Sequence, residues 1–202
     1  MNSMNFAPFR EYWAGVCGAG RLPAGYLAGA TLRRLQDNLA PHQMEPSPPA
    51  HLQLTLPDGG FVYIREQVQR LFMAHIVSCP FSSSGTFPLD GTFILTVIHT
   101  GVVRRNAVRF QTKSATAEAH MLTASLQEDK RLTDLLLGLD FRHCEISVAE
   151  RHWTLSIEHF AASEVIGRLP AGRRYLKLIP AQRKTLLMAI MLFRRHLSTF
   201  QP

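Results

Sequence analysis

The chain has 202 residues, of which 46% are hydrophobic and 18% charged, which is enough apolar material for a packed core and excludes a disordered chain. Three cysteines exclude a disulfide framework, and no stretch approaches the ~18 apolar residues of a membrane span. The net charge of +7 is unevenly placed: the last 38 positions hold eight Lys/Arg and no acid, whereas the first 164 hold 14 Lys/Arg and 15 Asp/Glu.

Residues 1–40 read as a Gly/Ala-rich lead followed by a helix from Tyr26 to about Leu39, with Leu27, Ala28, Thr31, Leu32, Leu35 and Leu39 on one stripe. Pro41, Pro46, Pro48 and Pro49 make 41–50 a non-helical connector, either an ordinary loop or a linker. From His51 the period changes to two: Leu52, Leu54 and Leu56 alternate with polar residues, Pro57 to Gly60 supplies a turn, and Phe61 to Ile64 returns. Leu71 to Cys79 reads as β-like, Ser82 to Gly91 as a loop, and Thr92 to Ile98 as a β-branched strand. Arg104-Arg105-Asn106 reads as a tight turn before Val108 to Phe110. Thr116 to Leu137 is helical, with a candidate break at Glu128-Asp129.

The clearest local signal follows. Cys144, Ile146 and Val148 alternate with polar residues, as do Trp153, Leu155 and Ile157. Pairing Val148 with Trp153 puts every apolar side chain on one face and sets His143 opposite Glu158 on the other. Arg173 to Ile179 reads as a last strand, and a final helix runs from about Ala181 to Thr199 behind Pro180. Residues 20–25 recur as 167–172 (Gly-Arg-Leu-Pro-Ala-Gly), but with unmatched flanks and no period. The organisation expected is an arm and helix over 1–40, a Pro-rich connector over 41–50, and one α+β domain over 51–202. Its core is an antiparallel sheet of about six to eight strands packed by two long helices.

Chemical motifs are scarce. Gly15, Gly18 and Gly20 fit no phosphate-cradling loop, and Ser82 to Ser84 lack the glycine of a nucleophile elbow. The pairs His75 with Cys79 and His143 with Cys144 match no zinc spacing, so no metal or other cofactor is expected. Cys144 falls on the apolar face as a small core residue. An enzyme would need a site assembled from distant residues, with Cys79 and His75 as the candidates.

The acid-free C-terminal block offers two further readings. Leu186, Ile190, Phe193 and Leu197 form one helical stripe, while Leu187, Met188 and Met191 lie on other faces. Those three are candidates for a surface of self-association or protein docking, if the helix is not covered all round by its own chain. Arg168, Arg173, Arg174 and Lys177 are candidates for binding an anionic partner, nucleic acid or membrane, although strand alternation splits them between two faces.

Short segments across the chain carry a resemblance. They are Pro23 to Tyr26 leading to Gly29 to Leu32, Arg65 to Val68, Leu139 to Phe141, and Ser163 to Ile166. On these the chain resembles an uncharacterised bacterial domain-of-unknown-function family, number 3156. The resemblance implies a bacterial cytoplasmic setting and brings no activity, cofactor or site residues. The function expected is that of a non-enzymatic interaction or accessory protein.

Overall fold

A computed structural model describes residues 22–42, 44–47, 51–101, 106–168 and 171–201. The Gly/Ala-rich lead, the Arg104-Arg105 pair, the end of the Pro-rich connector, and Gly20-Arg21 and Leu169-Pro170 of the repeated motif lie outside the described residues.

Helix α1 (Ala30–Leu39) is followed by strands β1 (Met44–Ser47), β2 (His51–Thr55), β3 (Phe61–Arg65), β4 (Gln67–Arg70), β5 (Ala74–Ser78), β6 (Phe81–Thr86), β7 (Phe93–Thr100) and β8 (Ala107–Thr112). Helices α2 (Ala117–Glu128) and α3 (Lys130–Leu137) precede β9 (Phe141–Ala149), β10 (His152–His159), β11 (Ser163–Arg168) and β12 (Ala171–Leu176). Helix α4 (Pro180–Ser198) ends the chain. The class is α+β and every strand pair is antiparallel.

The expectation of a single sheet is corrected: the strands form an eight-stranded sheet, ordered β1-β2-β3-β6-β10-β9-β7-β8, and a four-stranded one, ordered β12-β11-β5-β4. The two are linked by three chain segments. β3 passes into β4 at Glu66, β5 into β6 at Cys79-Pro80, and β10 into β11 at 160–162. Pro80 cannot donate to a ladder and Ala162 takes a positive φ of 59°, so hydrogen bonding breaks at these bends and the strands change sheet. The small sheet is thus a bent arm continuing the middle of the large one.

Helices α2, α3 and α4 cover one face of the large sheet: α2 lies on β7 and β8, α3 on β8 and α4, and α4 on β6 and β10. Of two expected long helices, only α4 is continuous, at 19 residues. The other is divided at Asp129, whose side chain accepts from the Leu132 N–H at 2.9 Å and restarts the chain as α3. Helix α1 starts at Ala30 rather than Tyr26, since Gly29 is left-handed at φ 77°. Ser82 to Thr86, expected as loop, belongs to β6, and Met44–Ser47 of the connector pairs with β2 as an edge strand. The last strand is Ala171–Leu176 and ends before Lys177.

The β9–β10 hairpin has the expected register, with Val148 opposite Trp153, Cys144 opposite Ile157, and His143 opposite Glu158. Its turn residues Glu150 and Arg151 both have positive φ, as a two-residue hairpin of right-handed twist requires. Trp153 is fully buried, and a Cβ added at Gly85 opposite it would lie 2.7 Å from its ring. In α4, Leu186, Ala189, Ile190, Phe193 and Leu197 are buried, Leu187 is 5% exposed, and Met191 packs on the same core. Met188 is half-buried. The apolar run is therefore largely covered within one chain.

Candidate functional site

The basic residues of the C-terminal block divide into those bound inside the fold and those left at its surface. Arg173 donates from Nε and Nη2 to the two oxygens of Glu164 at 3.1 and 3.2 Å, and Arg34 reaches the same carboxylate at 2.7 Å. The Thr31 hydroxyl adds a bond of 2.9 Å. Arg183 donates to the Asn38 and Ala40 carbonyls at the end of α1. Arg194 donates to the Ser83 hydroxyl at 2.8 Å and lies against Asp58 and the Trp153 ring. Arg168, Arg174 and Lys177 are exposed and make no ion pair among the described residues.

Glu164 is fully buried. Burial alone raises its pKa, but the bonds from Arg173 and Thr31 and the charges of Arg173 and Arg34 prevail and hold it below the usual carboxylate range. A second carboxylate, Glu66 at the first bend, caps α1 by accepting from the Gly29, Thr31 and Leu32 N–H groups at 2.8 to 3.0 Å. It also accepts from the Tyr26 hydroxyl at 2.7 Å. The two carboxylates pin α1 to the base of the arm.

Beyond this base the arm carries its far end into solvent. The β4–β5 turn closes by a bond from the Leu71 N–H to the Ala74 carbonyl at 2.9 Å, and β11 abuts it through the Arg168 N–H and the Met73 carbonyl. Tight turns favour Gly, Asn and Asp, which tolerate their backbone angles and face water. Here the turn is Leu71-Phe72-Met73, exposed by 47%, 94% and 41%. This corrects the β-like reading of Leu71 to Cys79, because only Ala74–Ser78 is strand.

Arginines lie along the strands behind that tip. Arg70, His75, Ile166 and Arg173 lie in one cross-strand row, and Arg168 follows Ile166 by two positions on the same face. Arg174 projects from the other face, in the row of Val165, Ile76 and Gln69. Of the four residues of the expected basic surface, Arg168 adjoins the tip through the Met73 carbonyl, Arg174 lies on the opposite face at the far edge strand β12, Arg173 is tied to Glu164, and Lys177 lies beyond the strand. Arg70, missed in the sequence, adds a basic group directly before the turn. The only signal for it was its place next to Leu71-Phe72-Met73.

His75 is buried within this row, and neither ring nitrogen has a hydrogen-bond partner. Burial, then Arg168 and Arg173, lower its pKa, with Glu164 opposing. Below an ordinary histidine pKa of about 6.5 the unfolded chain binds a proton that the folded chain refuses, so His75 makes the fold lose stability as pH falls. His75→Leu is expected to flatten this acid limb by up to ~1.4 kcal/mol per pH unit, read from urea midpoints between about pH 7 and pH 5. Cys79 is buried in the core, and burial followed by the charges of Glu66, Glu158 and Glu164 drives its thiol pKa well up, against a thiolate. Among the described residues no group of three or more His, Cys, Asp or Glu could hold a metal ion.

The segments that carry the family resemblance meet at the base of the arm. Tyr26, Gly29, Thr31 and Leu32 bind Glu66, Thr31 binds Glu164, and the Asp140 carbonyl accepts from Phe160 in the third bend at 2.8 Å. Residues 37–197 match the family described as "Protein of unknown function (DUF3156)". The chain belongs to this family. No curated protein and no solved structure matches it. Membership of DUF3156 assigns no reaction, so the arm must be read from its own chemistry.

Proposed function

We propose that this DUF3156 chain is a docking protein whose four-stranded arm attaches to an anionic lipid surface through the Leu71-Phe72-Met73 tip. The observation that carries this reading is Phe72, a large apolar side chain 94% exposed at the end of a projecting hairpin, with arginines behind it. Moving a Phe, Leu or Met side chain out of water contributes roughly 1.5–3 kcal/mol when complete. A basic side chain near an anionic membrane contributes about 1 kcal/mol. Three partly buried apolar groups with Arg70, Arg168 and Arg174 together reach several kcal/mol, which corresponds to reversible binding between about millimolar and micromolar.

Two signals of different kinds are what stable peripheral attachment needs, since a single shallow apolar anchor is marginal. Among the described residues no helix is long and apolar enough to cross a membrane. The tip is favoured over the apolar run of α4 as the docking element because Leu187 and its neighbours contribute to the core.

Flotation with vesicles tests the reading. The chain is expected to float with phosphatidylcholine vesicles containing about one third phosphatidylglycerol, and to be released between about 50 mM and 500 mM salt. Arg168→Glu with Arg174→Glu is expected to abolish flotation at every salt concentration. Equal flotation on pure phosphatidylcholine, or binding to duplex DNA but not to vesicles, would overturn it.

A further inference from the structure

A second site lies at the α2–α3 junction, and it is independent of the arm. Ser125 sits in the last turn of α2, Asp129 between α2 and α3, and His196 in the last turn of α4. The Ser125 Oγ is 3.0 Å from His196 Nε2, and His196 Nδ1 is 3.4 Å from Asp129 Oδ2. The other Asp129 oxygen, Oδ1, accepts from the Leu132 N–H at 2.9 Å, which fixes the carboxylate while Oδ2 faces the imidazole. All three side chains line one cleft of about 540 Å³, within the range of small-molecule sites.

We propose that Ser125 and His196 are the nucleophile and general base of an acyl-transfer site, with Asp129 as the positioning residue. With the proton on Nδ1, the nitrogen 3.4 Å from Asp129, Nε2 is left to accept from the Ser125 hydroxyl. In the first step Ser125 Oγ bonds to the ester carbonyl carbon and its proton passes to Nε2. The tetrahedral oxyanion then collapses, the ester C–O bond breaks, and the leaving alcohol takes the proton from Nε2. Water, deprotonated by the same nitrogen, attacks the acyl-enzyme and releases a carboxylic acid and free Ser125, so atoms and protons balance without a further co-reactant.

The rest of the lining indicates the substrate class. Arg131 and Arg195 both line the cleft, while Leu192 and Phe200 provide apolar wall. Two arginines against one aspartate in the lining favour a small ester that itself carries a negative charge, whose oxyanion their positive charge would stabilise. A serine beside a histidine on the surface of a fold is often only a hydrogen-bonded tie between helices. What separates this one is a fixed carboxylate 3.4 Å from the histidine's other nitrogen, with all three residues on one cleft.

The test is labelling of the full chain with a fluorophosphonate probe, followed by peptide mass spectrometry. Oγ displaces fluoride at phosphorus as His196 takes the proton, so one adduct on Ser125 is expected, abolished by Ser125→Ala and by heat denaturation. His196→Gln and Asp129→Asn are expected to slow labelling by roughly 100-fold or more with unchanged thermal midpoints. Asn retains an acceptor for the Leu132 N–H. Asp129→Asn is also expected to shift the pH profile of labelling, which a tie between helices would not do. No adduct on the folded chain, an adduct elsewhere, or a rate on Ser125 indifferent to both substitutions would overturn the site. Faster turnover of p-nitrophenyl acetate than of p-nitrophenyl succinate would overturn the substrate class.

Discussion

Glu164→Ala destabilises the fold by about 3 kcal/mol, the strongest effect expected of any substitution at the base of the arm. The carboxylate is fully buried and receives bonds from Arg173, Arg34 and Thr31. Its removal leaves the buried Thr31 hydroxyl unsatisfied and two guanidinium groups facing each other. Both arginines keep part of their surface in water, which screens that repulsion and holds the loss toward the low end of the range for broken buried ion pairs. Glu164→Gln keeps two polar atoms in place and is expected to lose less. Urea denaturation reads both, and an unchanged midpoint for Glu164→Ala would mean that the junction does not hold α1 to the arm.

Phe72→Asp is expected to do the opposite, leaving the fold as stable as before while removing the docking function. A side chain 94% exposed has almost no packing to lose, so its denaturation midpoint stays within ~0.5 kcal/mol of wild type. At a lipid surface the substitution removes roughly 1.5–3 kcal/mol of apolar transfer and adds a negative charge against anionic headgroups. Together these correspond to a loss in affinity of about 30-fold or more. Such a split between stability and binding separates a docking residue from a structural one.

The elements legible in the sequence were those with one wet and one dry face. Cys144 to Val148 and Trp153 to Ile157 each alternate without interruption, so a single register across the turn buries all six apolar residues, and that register is observed. The bends at Glu66 and Cys79-Pro80 were not legible because Ile64, Glu66 and Val68, and Val77, Cys79 and Phe81, keep the period of two through them. The bend at 160–162, where the buried parity changes, carries no glycine or proline to mark it. Ser82 to Ser84 read as loop since their hydroxyls suggest solvent, yet Ser83 is buried beneath Arg194, which comes from the far end of the chain. The tip was masked for the converse reason: Leu71, Phe72 and Met73 have the composition of a strand but the position of a turn.

The acid-free block illustrates the difference between charge in sequence and field in space. Eight Lys/Arg without an acid marked a candidate anionic-partner surface, already divided between two faces by strand alternation. Folding binds Arg173, Arg183 and Arg194 to acceptors in other parts of the chain and sets Arg168 and Arg174 on opposite faces of the arm. Ser125, Asp129 and His196 could not be associated from the sequence, because 71 positions separate Ser125 from His196 and only the packing of α4 on α3 brings them together.

Docking through the arm is tested most directly by floating wild type and Phe72→Asp side by side on vesicles of phosphatidylcholine with about one third phosphatidylglycerol, at low salt. Wild type is expected in the lipid fraction and Phe72→Asp in the protein fraction, with identical thermal midpoints. Equal flotation of the two would contradict the account.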